Sequence, residues 1–492
     1  MNRSRLPLLA PVLIVLIFNY CSGNSTIAKA DEVEVQPGEV NVAQPAPPQS
    51  ATPTTATTGP AQDTQVGTQP PAAASNSDAA PQPVLQPTQP ASPPSQSDTT
   101  PLPTTPCGLD RAELLAGTWG LPDTQVNVAS EAAVVHGDFV TSVGSGKCGP
   151  LLETRTRTGV LVRRNYLPRD LMDYHTGIAK FPSGGFVLAG MRTAVQADLP
   201  GWAIQRMVIT LVDENAKVIW KNDFAPEGPS LQNWGYAVVT DKEGNSYVAA
   251  NLNGFSVVKI SPAGARLWTY NYAENSGTAR AIRFDAEGNV VATGYIDVNL
   301  QSELGDRDVF VIKLSPKKKI LWKHRVVSPT LDYAYDLAIN KAGQTWIYGW
   351  SFDQGVTFRK KTLRLPSTFL IRLEQNGTRS AIIDPGISGY TARIAVLPDQ
   401  KLMLSGALIS NIPTTPNPLS VALFSADGLL RLGEKSFITP YWNVLNFMTM
   451  SPEGEIYVGS SSGTPVGQAP DYAFGSILKL FEADLLPCNN TH

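Results

Sequence analysis

Arg280-Ala-Ile-Arg-Phe-Asp-Ala-Glu-Gly-Asn-Val-Val-Ala-Thr-Gly294, followed after a short gap by Phe310-Val-Ile-Lys-Leu-Ser-Pro-Lys-Lys-Lys-Ile-Leu-Trp322, is the stretch that decides the fold. Its apolar runs are short and rich in Val and Ile, which suits strands rather than helices. Asp285-Ala-Glu-Gly-Asn289 interrupts the first two runs with residues that accept the positive φ of a tight turn. Gly294 ends the second run, Phe310–Leu314 makes a third, and a Pro-bearing turn leads to a fourth that ends in Trp322. One such stretch is a four-stranded meander.

The same pattern stands one unit upstream. Tyr236-Ala-Val-Val-Thr-Asp-Lys-Glu-Gly-Asn-Ser-Tyr-Val-Ala-Ala250 matches the first hairpin, and Phe255-Ser-Val-Val-Lys-Ile-Ser-Pro-Ala-Gly-Ala-Arg-Leu-Trp268 matches the second. Turn glycines recur at Gly184, Gly244, Gly288, Gly343 and Gly454, with Gln400 in the place of one. Fourth-strand tryptophans stand at Trp220, Trp268 and Trp322. A weaker unit precedes them, with a hairpin over Ala132–Val143 and Val162 in the Trp place. About seven units of roughly 53 residues predict an all-β β-propeller of seven four-stranded blades over 107–492. The last unit lacks a clear fourth strand after Ile477–Leu480, and Leu114–Trp119 are spare ahead of the first. The N-terminal segment is therefore expected to supply the missing strand. That would bring Cys107 and Cys488 into one blade, where a disulfide closing so long a loop contributes roughly 3–5 kcal/mol. Pairing of Cys107 with Cys148 is the rival arrangement.

These units resemble the bacterial β-propeller repeat family abbreviated SBBP. The resemblance rests on Gly288-Asn289 with Gly294, on Asp308-Val-Phe-Val-Ile-Lys-Leu314 with Trp322, and on Asp332-Tyr-Ala-Tyr335 as the entry into the next blade. It covers most of residues 170–480. It implies a propeller in an exported or surface protein and carries no shared catalytic residues.

Ahead of the repeats the composition changes twice. Arg3 and Arg5 precede an apolar run of about 13 residues, Leu6–Phe18, the length of a signal-peptide core and short for a bilayer span. Ala28-Lys29-Ala30 offers a cleavage site, giving a signal peptide over 1–30; acylation of Cys21, as in a lipoprotein, is the alternative, although Tyr20 is bulky for that pattern. Residues 31–106 hold no Lys, Arg or aromatic residue and are dominated by Pro, Thr, Ala, Gln and Ser. Such a linker buries too little apolar surface to offset its chain entropy and is expected to be disordered and extended. The chain is thus expected to be secreted, periplasmic or held at the cell surface.

Chemistry is sparse. A formal charge of −3 on 492 residues gives no electrostatic reason to expect nucleic acid, and a membrane enters only through Cys21. The four histidines, His136, His175, His324 and His492, form no metalloprotease motif, and neither a serine-nucleophile elbow nor a phosphate loop is present. His175, beside Tyr174, is a candidate to face the channel. Asp306, Asp308, Asp332 and Asp336 lack calcium-loop spacing and are assigned turn and capping roles. No metal and no cofactor is predicted. The repeated Trp220, Trp268 and Trp322 are expected to wedge neighbouring blades. Tyr174, Trp234, Tyr333 and Tyr390 fall just before the first strands of successive units; Thr278 and Asn443 replace the aromatic in two others, with Trp442 next door. First strands line a propeller's channel, so these residues are the candidate binding collar, with blade packing as the other reading. The expected function is a non-enzymatic propeller that binds a protein or glycan at the cell surface. Its rivals are a periplasmic enzyme resembling the quinoprotein dehydrogenases, which share the Gly-x-x-x-Trp closing, and a structural envelope component.

Overall fold

The computed structural model describes residues 128–146, 149–168, 174–195, 203–224, 233–272, 277–298, 307–327, 331–352, 367–387, 391–407, 419–437, 442–463 and 474–486. These residues are all-β apart from one short 3-10 turn, Glu482–Leu485. They form successive antiparallel meanders in which strand order follows chain order. Six meanders have four strands: 128–166, 174–224, 233–271, 277–326, 331–383 and 391–437. The seventh, 442–480, has three among the described residues. Units 4 and 5 are joined into one sheet by a single parallel pair, Arg307 with Leu331. Architecture of this kind is propeller-like, as the repeat predicts.

The position of each strand in its unit explains its composition. Third strands such as Phe255–Ile260 and Arg307–Leu314 are buried along nearly their whole length and read as continuous apolar runs, because neighbouring units cover both faces. Fourth strands such as Arg266–Asn271 and Ile320–Val326 are half-exposed outer edges. Between them the turns need a left-handed residue, supplied by Gly264 at φ 85°, Gly377 at 84° and even Lys318 at 70°. Gln400, in the place of a turn glycine, takes φ 75°.

The core is divided among the interfaces. Separate apolar clusters join units 1 and 2, 2 and 3, 3 and 4, 4 and 5, 5 and 6, and 6 and 7. A further cluster, Val140 with Phe447, Tyr457 and Ile477, joins unit 7 to unit 1. Polar contacts repeat at these interfaces. The Trp220 indole N–H donates to the Pro262 carbonyl at 2.9 Å, Trp268 to Pro316 at 3.2 Å and Trp322 to Gln375 at 3.0 Å. Each tryptophan therefore reaches the same turn of the following unit, the packing role expected for it. Lys259 Nζ donates to the Pro316 carbonyl of the next unit, and Lys479 Nζ of unit 7 repeats this on the Arg157 carbonyl of unit 1. Arg157 also pairs with Glu453 at 2.6 Å. Leu114–Trp119, the proposed closing strand, lies outside the described residues, as do the signal segment, the linker and Cys21, Cys107, Cys148 and Cys488.

Candidate functional site: the inner strands

The inner strand is the first of each unit, and these strands share an irregularity. In unit 4, Ala279 pairs with Gly294 and Ala281 with Thr293, so Arg280 is left without a partner. The same extra residue is Glu131 in unit 1, Thr176 in unit 2, Tyr236 in unit 3, Tyr335 in unit 5 and Asn446 in unit 7. Unit 6 keeps unbroken register, and Arg393 stands at the equivalent place. A bulge bends the strand and re-aims a side chain, and it recurs here at one level of every inner strand but that of unit 6.

A second-strand glycine accompanies the bulge in units 1, 2, 4 and 5, whereas Ala250 and Ser460 hold that position in units 3 and 7. Gly294 and Gly349 sit opposite the approach to the bulge, and a Cβ there would meet the Thr278 carbonyl oxygen at 1.9 Å and that of Tyr333 at 2.2 Å. Gly144, Gly190 and Gly406 hold the same register position in units 1, 2 and 6.

Two residues before the bulge level lies the collar level. Tyr174, Trp234, Thr278 and Tyr333 occupy it, within their first strands rather than just before them. Register places Thr391 and Val444 there in units 6 and 7, one residue after Tyr390 and two after Trp442. Tyr390 and the Trp442 side chain lie outside the described residues. The ring centroids of Tyr174 and Trp234 are 6.0 Å apart, and Trp234 stacks on Tyr236 at 5.7 Å. Trp234 Nε1 donates to Gln205 Oε1 at 2.6 Å. Around units 4 and 5, Tyr333 stacks on Trp350 at 4.2 Å and meets Tyr295 at 5.0 Å. Aromatic pairs at these separations hold each other rigidly.

Guanidinium groups are set among the rings. Arg280 lies 4.2 Å from the Tyr236 centroid and 5.2 Å from that of Tyr335. Arg307 is 4.8 Å from both Tyr295 and Tyr333, donates to the Tyr333 hydroxyl, and pairs with Asp297 at 2.5 Å. Arg393 donates through Nε to the Asn446 carbonyl at 2.9 Å. Arg283 holds the buried Asp336 at 2.9 Å. Between units 1 and 2, Tyr174 donates its hydroxyl to Glu131 Oε2 at 3.0 Å. Burial pushes the Glu131 carboxyl up to about 7, against the lowering effects of the Tyr174 hydroxyl and the Arg393 charge. Burial raises the Tyr174 hydroxyl well above its ordinary value, and the charge of Glu131 adds to this.

Two assignments change. His175 does not face the channel: it alternates with Tyr174 and is fully buried, and burial holds its pKa near 3 with both ring nitrogens unpaired. Asp308 and Asp336 are strand residues in ion pairs, with Arg325 at 2.5 Å and Arg283 at 2.9 Å, because a carboxylate inside a sheet needs a charged partner. Asp332 is buried on its strand too, and Asp306 lies outside the described residues. Among the described residues no group of three or more His, Cys, Asp or Glu side chains could hold a metal ion, and no helix is long and apolar enough to cross a membrane.

The bulge level itself, with Arg280, Arg393 and Glu131, was missed in the sequence reading. Its signal is present: a residue two places after the collar position, in a unit whose second strand carries Gly.

No protein-family model matches the chain, and no curated protein matches it either. Among solved structures it is similar to Kuenenia stuttgartiensis hydrazine synthase, at 8% identity over 73% of this chain and 96% of that one, with a TM-score of 0.49. The Neurospora crassa Pan2 WD40 domain shows 10% identity over 72% and 89%, with a TM-score of 0.43. BamB from Moraxella catarrhalis shows 11% identity over 74% and 96%, with a TM-score of 0.39. Likenesses this distant say nothing of activity.

Proposed function

We propose that the chain is an exported seven-bladed propeller of the SBBP type that acts as a non-enzymatic binding module for a protein or glycan at the cell surface. The observation that carries this reading is the girdle of Tyr174, Trp234, Tyr236, Tyr333 and Tyr335 on inner strands, with Arg280 set among the rings. Rigid aromatic faces with polar edges give contact area at small entropic cost. Contacts between unit 7 and unit 1 support a closed ring, and Leu114–Trp119 would complete the last blade. Arg3, Arg5 and the apolar run before Ala30 support export, with the 31–106 linker giving reach and Cys21 as the alternative anchor.

The test is a glycan-array and envelope-lysate capture with the full-length chain, set beside the Trp234→Ala/Tyr333→Ala double variant. Specific capture lost in a variant that keeps its near-UV circular dichroism supports the collar. Capture that survives the substitutions moves the site to other loops, and no capture at all overturns the reading.

A further inference from the structure

Among the described residues, the arginines at and beside the bulge level outnumber the ionised carboxylates set against them. Arg280, Arg283 and Arg393 all come from inner strands and lie near enough for their charges to act on one another. Arg393 sits below its ordinary value through burial, which outweighs the attraction of Asp336 and Tyr335, and the charges of Arg283 and Arg280 add smaller lowering effects. Among the described residues the carboxylates set against these arginines are Asp336 and Glu131. Asp336 is committed to Arg283 and also accepts from the Leu337 backbone N–H at 2.9 Å. Glu131 is bonded to Tyr174 and only partly ionised near neutrality. Neither Arg280 nor Arg393 forms an ion pair among the described residues, and Arg280 Nε finds no acceptor. Arg280 keeps its charge all the same: burial opposes it, and the tyrosine rings and hydroxyls around it prevail.

Holding like charges together in a partly desolvated space is unfavourable unless an anion joins them. We propose that the channel is an anion site, centred on Arg280 and Arg393, for an acidic oligosaccharide whose sugar carries a carboxylate. A guanidinium presents its N–H groups as a planar fork matched to a carboxylate. Trp234, Tyr236 and Tyr335 around the guanidinium supply aromatic edges and hydroxyls suited to the C–H and O–H groups of a pyranose ring, which favours a sugar acid over an acidic peptide. The inference rests on the binding-module reading and narrows it to one ligand class.

The experiment is calorimetry on the full-length chain at pH 7 and low salt. The probes are an oligogalacturonate, a neutral galactan oligomer of equal length and a poly-glutamate peptide. The oligogalacturonate is expected to bind at least about tenfold more tightly than the other two. Arg280→Gln and Arg393→Gln should each weaken it by about tenfold or more, Arg280→Lys should weaken it partly, and Lys317→Ala on an exposed turn should leave it unchanged. Thermal melts check that each variant folds; if Arg280→Gln does not, Arg280→Lys and Arg393→Gln decide. Equal affinity for the neutral oligomer overturns the anion site, and equal affinity for poly-glutamate overturns the sugar assignment. If oligogalacturonate fails to bind while the capture experiment finds a ligand lost on Trp234→Ala/Tyr333→Ala, this inference fails and the binding module stands. Failure of both experiments removes both.

Discussion

The indole of Trp322 lies against the backbone of Gly377 in the next unit. Its N–H donates to the Gln375 carbonyl at 3.0 Å, and a Cβ on Gly377 would come within 2.6 Å of the ring. Trp220 and Gly264 repeat the arrangement two units earlier, with the Cβ contact at 2.9 Å. The close approach and the φ of 84° both require glycine at Gly377.

This clasp is testable by a double-mutant cycle. Trp322→Ala is expected to destabilise by about 2–4 kcal/mol, since it removes a large packed ring and a hydrogen bond. Gly377→Ala should cost about 1–3 kcal/mol from the clash and the left-handed backbone. In the Trp322→Ala background the clash is gone and only the backbone cost remains, so the two effects should be less than additive. Strict additivity in urea melts would show that the ring and the glycine do not interact.

Gly294→Ala tests the bulge. Its Cβ would meet the Thr278 carbonyl oxygen, so the inner strand must shift, at a cost of about 2–4 kcal/mol. Arg280 moves with that strand, so ligand affinity should fall further than for Gly288→Ala in the outlying turn, where nothing lies near the added Cβ. Equal affinities for the two variants would separate the bulge from the site.

Glu131 sets a pH dependence. Its folded pKa of about 7 lies above its ordinary value of 4.5, so the folded chain holds the proton more tightly than the unfolded chain. Stability from this group is fully present below about pH 4.5 and is lost as pH rises to about 7, by up to about 3 kcal/mol. Glu131→Gln keeps an acceptor for Tyr174 and removes the titration. It should be more stable than wild type at pH 8 by a margin that shrinks at pH 5. The same margin at both values in denaturant melts would show that Glu131 titrates normally.

His175 acts in the opposite sense. Its pKa near 3 lies below its ordinary 6.5, so the unfolded chain takes up the proton first and stability falls as pH drops from 6.5 towards 3. His136, held near 4 by burial and by Lys180, adds to the trend. His175→Leu is expected to lie within about 1 kcal/mol of wild type at pH 7.5, because the ring nitrogens have no partners to lose. It should lose less stability than wild type between pH 7.5 and pH 5, and an equal loss would refute the assignment.

By itself, the sequence determined the repeating meander, the left-handed turn positions and the tryptophans between units. These depend on contacts inside one repeat or between adjacent copies, and their chemistry recurs at the repeat period, so periodicity exposes them. It also picked out Tyr174, Trp234 and Tyr333, which share one register position, but drifted by one and two residues at Tyr390 and Trp442, where the aromatic cue and the strand register part company. Only the tertiary structure decided that Arg280, Arg393 and Glu131 stand at one level, for they come from units 4, 6 and 1 and do not recur at the repeat period. It also decided that His175 is fully buried between units while Tyr174 beside it is only partly covered. A bulge changes which side chain turns toward the channel, and which charges then face one another depends on bringing distant units around a ring, which no local pattern of residues records.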